Sequence, residues 1–404
     1  MSLSTAISRL ESLARLSDHP GHLIRSFLSP SSRQAADLLL SWIRDLGLQT
    51  SHAPDGTLRG ILPGSNPSAP PLLLGSHYDT VIDAGKYDGP LGILSALAAL
   101  ESLAQQNITL PFPVHVLAFS DEEGTRFQTT YLGSRSILAQ LDEKTLAATD
   151  ANGITLASAL ASEGWHHNAS LIHYPPHSTR GYVELHIEQG RVLEQLNQPA
   201  STVSAIAGQS RLAITLTGHA DHAGTTPMPL RRDALTGAAE CILSAESLAR
   251  SHPPAVITVG KIAVHPGASN SIPQRADFTI DLRHPEDNER HALTTELQER
   301  FLSITDQRNL TLDWNLVQES PATPCDPTLT SHLLNSLQAI TGHHTSLVSG
   351  AGHDGVALAP AMPIAMLFIR CRDGLSHHPD EYASPEDIDT GIQILTHFLK
   401  SFTP

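Results

Sequence analysis

The sequence predicts an α/β protein whose mixed central sheet is covered by helices and whose chain is interrupted by an inserted α+β domain. Short apolar runs at 71–76 and 113–120 flank an Ala- and Leu-rich segment, Leu91 to Gln105, that has helical periodicity. Strand and helix patterns then alternate between 210 and 318, before another apolar run and a helical segment close the chain. Strands alternating with helices are typical of α/β proteins, and 404 residues suffice for two domains.

The first strand–helix–strand unit indicates where a ligand binds. Polar residues follow each apolar run, SHYD after the first and SDEEG after the second. Parallel strands that are joined by a helix have their carboxyl ends at the same edge of the sheet. Ligands of such sheets bind just beyond these ends. We therefore expect functional residues in both loops.

The patterns between 210 and 318 predict the inserted domain. RLAITLTG, VITVGKIAV, ADFTIDLR and TLDWNLVQ alternate as strands do, and helices are predicted from Pro229 to Ala249 and from Pro285. This order is ferredoxin-like and predicts an antiparallel sheet. PATPCDPT is the predicted return linker, after which PIAMLFIR and EDIDTGIQILTHFLKSFT resume the core. We assign 1–208 and 324–404 to the core domain and 209–323 to the insertion.

The composition excludes several classes of function. A formal net charge of −16 argues against binding to nucleic acid or to an anionic membrane. Cys241, Cys325 and Cys371 fit neither a disulfide framework nor the spacing of a thiolate metal site. The N-terminal segment lacks the apolar stretch of a signal peptide, and no run is long enough to span a membrane. We predict a cytoplasmic protein.

His77 and Asp79 end the first apolar run and form the first candidate pair. Residues i and i+2 of a strand share a face, so Asp79 can accept from one imidazole nitrogen while the other binds a metal ion. A histidine that only caps the loop is the alternative. Asp88, in GKYDGP, is a further candidate ligand, although an Asp before Gly is also common in turns.

Three successive acids follow the second apolar run. In SDEEG, negative charge is concentrated where the sheet opens towards its ligand, and a metal ion would relieve the repulsion. One of the neighbours Glu122 and Glu123 can then bind metal while the other takes a proton from water and later gives it to the leaving nitrogen. A solvated acidic loop is the alternative.

Two further segments supply histidines. His186, in VELHIEQG, is either a ligand or a buried hydrogen-bonded histidine, and in DGLSHHPDE the neighbours His377 and His378 compete for one role. Three histidines and two carboxylates at strand ends match the ligands that zinc, manganese or cobalt prefer. A carboxylate shared by two ions is the arrangement of hydrolytic dinuclear sites. The sequence therefore predicts a pair of divalent metal ions.

Motifs along nearly the whole chain resemble a known family, the dinuclear metallopeptidase and aminoacylase clan. They are, in order, GSHYDT, GKYDG, SDEEGTRF followed by TTYLGSR, ELHIEQG, HADHAGTTPM, ASNSIP, FTIDLR, SGAGHDG and GLSHHPDE. Within the clan they resemble the carbamoyl-amido hydrolases, which include allantoate amidohydrolase, N-carbamoyl-L-amino acid hydrolase and β-ureidopropionase. So many ordered matches are more specific than any single motif.

This resemblance implies a zinc-peptidase-like core and a role for individual residues. The implied metal ligands are His77, Asp88, Glu123, His186 and His377. Asp88 would bridge two ions, zinc or manganese with cobalt or nickel as alternatives, and Glu122 would be the general base and acid. Asp79 would support the ligand His77.

The resemblance also implies a substrate site. The residues that would line it are Gln189, His222, Asn270, Arg283 and His353. The planar fork of Arg283 suits a substrate carboxylate. The insertion would serve as a lid and dimerisation domain of a homodimer, in which His222 reaches the partner's active site and polarises the scissile carbonyl. From the residues alone, His222 is better explained as a histidine at the entry to a helix. His353 is equally compatible with a helix cap, and Asn270 is compatible with a turn.

The expected reaction is hydrolysis of a ureido C–N bond in a small carboxylate substrate. Allantoate is the favoured substrate because DEEGTRFQTTYLGSR and MLFIRCRDGLSHHPDE resemble allantoate amidohydrolase more than the carbamoylases. The products would be ureidoglycine, ammonia and carbon dioxide. An N-carbamoyl-L-amino acid hydrolase or β-ureidopropionase is the nearest alternative, followed by an aminopeptidase or aminoacylase. A non-catalytic binding protein is disfavoured, because Glu122 and every implied ligand are retained.

Overall fold

A computed structural model describes residues 3–164 and 172–402 of the chain. The protein has two compact units, one formed by Met1–Ser204 with Cys325–Pro404 and the other by Ala205–Pro324. Each unit has its own sheet and its own hydrophobic core. None of the helices in the described ranges has the length and apolar character that a membrane crossing requires.

Strands and helices alternate along most of the described chain. The strands are β1 Gln49–His52, β2 Leu58–Leu62, β3 Leu72–His77, β4 Val114–Phe119, β5 Gly181–Ile187, β6 Ala200–Ile206, β7 Gly208–Thr217, β8 Val256–Thr258, β9 Ile262–His265, β10 Arg275–His284, β11 Thr311–Ser320, β12 Thr323–Pro324, β13 Ser346–Ser349 and β14 Ile364–Ile369. The α-helices are α1 Leu3–Ala14, α2 Pro30–Asp45, α3 Pro90–Gln105, α4 Leu132–Ser136, α5 Glu143–Leu146, α6 Leu156–Ser162, α7 Val192–Leu196, α8 Ala234–Ser251, α9 Asp287–Gln307, α10 Pro327–Thr341, α11 Gly355–Leu358 and α12 Pro385–Ser401. Short 3-10 helices span Met228–Leu230 and Arg372–Gly374.

The sheet of the first unit is mixed. Its strand order is β1-β2-β4-β3-β5-β14-β6-β12, with β13 paired to β6. The four central strands β4, β3, β5 and β14 are parallel to one another, whereas β2 pairs with β4, and β6 with β14, in the antiparallel sense. The predicted mixed α/β sheet is therefore confirmed.

The four parallel strands are buried along almost their whole length, as expected for apolar runs of this kind. Helix α3 is itself apolar on nearly every side and packs on β3, β4 and β5, while α10 and α12 pack on β14. Gly89, at φ +79°, forms the turn before α3, and Pro90 begins the helix with a φ that suits its first turn. This turn fixes the direction in which the preceding Asp88 enters the sheet edge.

The carboxyl ends of the parallel strands lie at one edge of the sheet. Strand β3 ends at His77, β4 ends immediately before Ser120, and β5 ends just after His186. Strand β14 ends at Ile369, ahead of the segment that contains His377. The loops that carry the sequence motifs are therefore brought to the same edge, as the strand–helix–strand pattern predicts.

The second unit contains an antiparallel sheet of order β11-β7-β10-β8, with β9 also paired to β10. Helices α8 and α9 pack on this sheet, which confirms the predicted α+β insertion. VITVGKIAV, predicted as one strand, forms two, because the register against β10 shifts by one residue across 259–261. Such an extra residue is a β-bulge, and Gly260 lies within it.

The predicted helix from Pro229 begins later, at Ala234, where the Asp233 carboxylate accepts from the amides of Leu235 and Thr236.

Candidate metal centre

Two histidines face one another at the ends of neighbouring strands. His77 and His186 are both buried, and their ring centroids are 5.9 Å apart. Nε2 of His77 lies 3.6 Å from Oδ1 of Asp88, and Nε2 of His186 lies 3.0 Å from the same oxygen. One carboxylate oxygen is therefore shared by two imidazoles from different strands.

The other oxygen of Asp88 faces a third histidine. Nε2 of His377 lies 3.1 Å from Oδ2 of Asp88 and 3.3 Å from Oε1 of Glu123. The His377 side chain is 49% exposed, so this side of the cluster faces solvent. His377 also has a left-handed backbone (φ +55°), which is strained in a residue other than glycine and common at functional sites. His378, the competing candidate, has its imidazole Nδ1 beside the backbone amide of Asp380 instead.

The loop after β4 carries Glu122 and Glu123 and is held by Asp79. The carboxylate of Asp79 accepts from the backbone amides of Glu122 at 3.0 Å and Glu123 at 3.2 Å. Its Oδ1 also lies 3.3 Å from Nδ1 of His77, whose Nε2 points to Asp88. Asp79 therefore links the loop of the two glutamates to the first histidine.

The spacing of these side chains suits metal ions. Among residues 3–164 and 172–402, four groups of three side chains bring potential ligand atoms within 4.8 Å of one another. The groups are His77, Asp88 and His186; Asp88, Glu123 and His377; His77, Glu122 and Glu123; and Glu184, His186 and His353. Imidazole nitrogens and carboxylate oxygens are the donors that zinc and manganese accept. Asp88 belongs to the first two groups, so the donor set fits two neighbouring cations that share its carboxylate.

The electrostatics of the cluster favour cations. Burial works to raise the pKa of Asp88, but hydrogen bonds from His186, His377 and His77 hold that pKa well below its usual range. Hydrogen bonds with Asp88 and Glu123 raise the pKa of His377 to about 10, despite partial burial. Burial would lower the pKa of His77, yet Asp79 and Asp88 keep it well above the ordinary value. The carboxylates thus produce a strongly negative potential, which a metal ion would neutralise.

The surroundings of Glu122 perturb its carboxyl strongly. Its side chain is buried, and burial together with the neighbouring Glu123 raises the pKa of its carboxyl well above the ordinary value. The backbone carbonyl of Glu122 also accepts from the amide of Tyr131, so the loop is fixed on both sides.

Gln189 and His353, two of the predicted substrate residues, lie beside the candidate ligands. Nε2 of Gln189 donates to Oδ2 of Asp88 at 3.0 Å. His353 is buried with its ring centroid 4.5 Å from that of His186, and its Nε2 lies 2.8 Å from the Ser349 hydroxyl. Burial, and then the charge of His186, lower the pKa of His353 well below the ordinary value, so it is neutral.

The other predicted substrate residues belong to the second unit. His222 and Asn270 are exposed and lie in adjacent loops, where the amide of Ala223 donates to the Asn270 carbonyl at 3.0 Å. His222 also forms an isolated β-bridge with Ser271. Arg283, on β10, donates from Nε and Nη2 to the carboxylate of Asp281 at 2.8 and 3.0 Å.

Several residues of the site were not identified from the sequence. Ser376 and Glu381 flank His377, and Glu381 is buried beside Asp88, where burial and the Asp88 charge raise its pKa to about 6. The acids Asp121, Glu184 and Asp354 are also fully buried near the candidate ligands, and burial is the main cause that raises the pKa of each. All five lie within the sequence motifs. The sequence signal that could have identified Glu184 is an acidic residue on a strand that is predicted to be buried.

Comparisons with known proteins show the family of this chain. The sequence profile of Peptidase family M20/M25/M40 matches residues 73–401. The chain is 40% identical over 431 residues to allantoate deiminase of Arabidopsis thaliana, covering 98% of this chain and 82% of that protein. It is 37% identical over 391 residues to N-carbamoyl-L-amino acid amidohydrolase of Geobacillus stearothermophilus, covering 96% of each.

A solved structure shows the same fold. An amidase of the hydantoinase/carbamoylase family from Burkholderia multivorans has a TM-score of 0.92 and 31% identity, covering 98% of this chain and 97% of that one. The family resemblance drawn from the motifs is thus confirmed, and enzymes of this family use divalent metal ions. The chain belongs to Peptidase family M20/M25/M40, in its allantoate deiminase and N-carbamoyl-L-amino acid amidohydrolase subfamily, and is a hydrolase of carbon–nitrogen bonds.

Proposed function

We propose that this protein hydrolyses the ureido C–N bond of a small carboxylate substrate, with allantoate as the preferred substrate. The observation that carries the proposal is the Asp88 carboxylate, which belongs to two candidate metal-binding groups next to the buried Glu122. The relatives named allantoate deiminase and N-carbamoyl-L-amino acid amidohydrolase, at 40% and 37% identity, support the ureido class. Allantoate is preferred because DEEGTRFQTTYLGSR and MLFIRCRDGLSHHPDE resemble allantoate amidohydrolase more than the carbamoylases.

We propose that five side chains hold two divalent ions. They are His77, Asp88, Glu123, His186 and His377, with Asp88 shared by both ions. Zinc and manganese fit this donor set, and cobalt or nickel are alternatives. When bound, such ions lower the pKa of water and polarise a carbonyl oxygen.

Glu122 is the proposed proton carrier. It takes a proton from the attacking water as the new C–O bond forms at the carbamoyl carbon, and it gives that proton to the nitrogen as the C–N bond breaks. The raised pKa of its buried carboxyl allows it to hold the proton between the two steps. Each ureido group consumes one water, and its carbamoyl carbon leaves as carbamate. The carbamate then decomposes to ammonia and carbon dioxide. From allantoate the remaining product is ureidoglycine.

The proposed substrate residues come from both units. They are Gln189 and His353 beside the ligands, and His222, Asn270 and Arg283 on the insertion. The Arg283 guanidinium, which is already paired with Asp281, would bind the substrate carboxylate as an additional partner. We further propose a homodimer in which the insertion acts as a lid and His222 of one subunit polarises the scissile carbonyl in the partner. The exposure of His222 and Asn270 on the second unit supports this role.

Ammonia release tests the reaction. Protein reconstituted with manganese or zinc is assayed with allantoate, N-carbamoyl-L-amino acids and dipeptides. Ammonia is measured for the ureido acids and free amino acids for the dipeptides, and kcat/KM is compared. We expect the highest value for allantoate. Glu122→Gln should keep its bound metal and lose about 10²- to 10⁴-fold in kcat. Glu143→Gln, at an exposed position at the start of α5, should leave kcat unchanged. If no ureido acid yields ammonia, the proposal is wrong.

Mixing of variants tests the role of His222 across subunits. Glu122→Gln removes the proposed proton carrier, and His222→Ala removes the side chain that is proposed to polarise the carbonyl. Dimers of the two variants are dissociated, mixed and reassociated. If His222 serves the partner subunit, a mixed dimer contains one complete active site and regains activity. If it serves its own subunit, every site in the mixture stays defective and no activity returns.

A further inference from the structure

Glu381 lies inside the turn that carries Asp88. Its Oε1 accepts from the backbone amides of Tyr87 at 2.8 Å and Asp88 at 3.1 Å. The turn is wrapped closely around this carboxylate, because a Cβ added to Gly85 would lie 2.3 Å from Oε1 of Glu381. Two consecutive amides that point at one carboxylate oxygen hold the turn, and therefore Asp88, in a fixed orientation.

The second oxygen of Glu381 contacts the segment that carries His377. Oε2 accepts from the hydroxyl of Ser376, the residue before His377, at 2.9 Å. The same hydroxyl lies 3.1 Å from Oδ2 of Asp88, and the amide of Gln189 donates both to Ser376 at 3.1 Å and to Asp88 at 3.0 Å. Glu381 therefore links two segments that are nearly three hundred positions apart in the sequence, each with one candidate metal ligand.

Because Glu381 is buried, its carboxylate needs hydrogen-bond partners within the protein. The residue is 4% exposed, and a buried carboxylate is costly unless hydrogen bonds replace its hydration. Two backbone amides and one hydroxyl supply these bonds. A side chain that only filled space here would be apolar, because an unpaired carboxylate in such a position is strongly destabilising.

We propose that Glu381 is a positioning residue of the metal centre, which sets the orientation of the shared carboxylate of Asp88 relative to His377. The inference rests on the proposed function, since it assumes that Asp88 and His377 bind metal. Residues that orient metal ligands commonly change metal affinity by about 10- to 100-fold when replaced. The reach of Glu381 to the two amides, rather than its charge, is the property that matters.

Two conservative variants separate reach from charge. In Glu381→Gln the amide oxygen can still accept from Tyr87 and Asp88, and its nitrogen can donate to Ser376. In Glu381→Asp the charge is kept, but the carboxylate is shorter by one methylene and withdraws from the turn. The neighbour Asp380, which is exposed at its side chain, provides the control Asp380→Asn.

Cobalt binding is the measurement. Metal-free protein is titrated with Co(II), and the affinity and the visible absorption of the bound ions are recorded for each variant, with thermal unfolding as a check of folding. We expect Glu381→Gln and Asp380→Asn to stay within about threefold of the wild type, and Glu381→Asp to lose about 10- to 100-fold in affinity with a changed spectrum. A residue needed only for stability would lower the unfolding temperature and leave the spectrum of the folded protein unchanged.

The outcomes distinguish this inference from the proposed function. If the wild type binds no Co(II), the metal centre itself is refuted. If the wild type binds Co(II) and Glu381→Asp has the same affinity and spectrum, only the role of Glu381 is refuted. A large loss in Glu381→Gln together with wild-type binding in Glu381→Asp would also overturn it, because charge would then be the important property.

Discussion

The carboxylate of Asp79 accepts a hydrogen bond from the backbone amide of Glu122 at 3.0 Å. The same carboxylate accepts from the amide of Glu123 and lies 3.3 Å from Nδ1 of His77. This buried side chain, two residues after the end of β3, therefore positions a candidate ligand at the end of that strand and the proposed proton carrier in the loop after β4. This relationship makes Asp79 a natural target for mutation.

Asp79→Asn is expected to weaken both metal binding and turnover. An asparagine offers one acceptor oxygen, and its NH₂ group would face one of the two amide donors without a partner. We expect kcat/KM to fall by about 10- to 100-fold, and metal affinity to fall with it. The control is Asp83→Asn in the same loop, where the carboxylate is exposed and pairs with the exposed His22. Equal activity of Asp79→Asn and the control would contradict the prediction.

Gly89→Ala is expected to displace His77. An added Cβ would lie 2.5 Å from Cε1 of His77, closer than real Cβ contacts come, and the backbone at φ +79° is also unfavourable for alanine. We expect a loss of metal affinity that is measurable by calorimetry, with activity falling in parallel.

The matched control for this change is Gly21→Ala. Gly21 has a similar φ of +86°, but nothing lies within 4 Å of an added Cβ. This variant should lose only about 1 kcal/mol of stability from backbone strain and keep its metal affinity. If both glycine variants bind metal equally well, Gly89 is not needed to leave space for the side chain of His77.

Arg25→Met is expected to destabilise the first unit. The Arg25 side chain is 1% exposed, and its guanidinium donates to the backbone carbonyls of Leu13, Leu16 and Tyr78. Methionine fills a similar volume but leaves these carbonyls without their donor, at a cost of about 1–3 kcal/mol for each buried group. Thermal unfolding should show a clear decrease, whereas Arg15→Met, at an exposed position on the same segment, should not. An unchanged unfolding temperature in Arg25→Met would contradict the argument.

His115→Asn is expected to reduce the acid sensitivity of folding. Burial, with a smaller contribution from Arg59, lowers the pKa of His115 from 6.5 to about 4, and its Nδ1 lies 2.7 Å from the Tyr174 hydroxyl. The unfolded chain therefore takes up a proton at higher pH than the folded chain. The contribution of His115 to the free energy of unfolding is complete above pH 6.5 and is lost as the pH falls towards 4.

Denaturant unfolding across this pH range measures the effect. Asparagine can still accept from Tyr174 but does not titrate. Relative to the variant, the wild type should lose about 1–3 kcal/mol of stability on acidification, at about 1.4 kcal/mol per pKa unit. Parallel pH profiles of the two proteins would show that His115 does not contribute.

Much of the fold could be predicted because its signals are local. The apolar runs that became β3, β4 and β14 and the helical pattern of α3 are found within one or two residues of their predicted positions. The division of VITVGKIAV into β8 and β9 was missed, because alternation describes one strand and not its register against a neighbour. The late start of α8 was missed for a similar reason, since only the structure shows that Asp233 caps it.

The sequence by itself determined which chemical groups are present, their places at the ends of buried runs, and the family to which they belong. Only the tertiary structure decided which of them meet: β3, β5 and β14 bring His77, His186 and the His377 segment to one sheet edge, and Asp88 lies between them. The contact between Glu381 and the turn that carries Asp88 could not be predicted from the sequence either. The physical reason is that periodicity reports the direction of a side chain relative to its own backbone, whereas contacts between distant segments depend on strand order and packing.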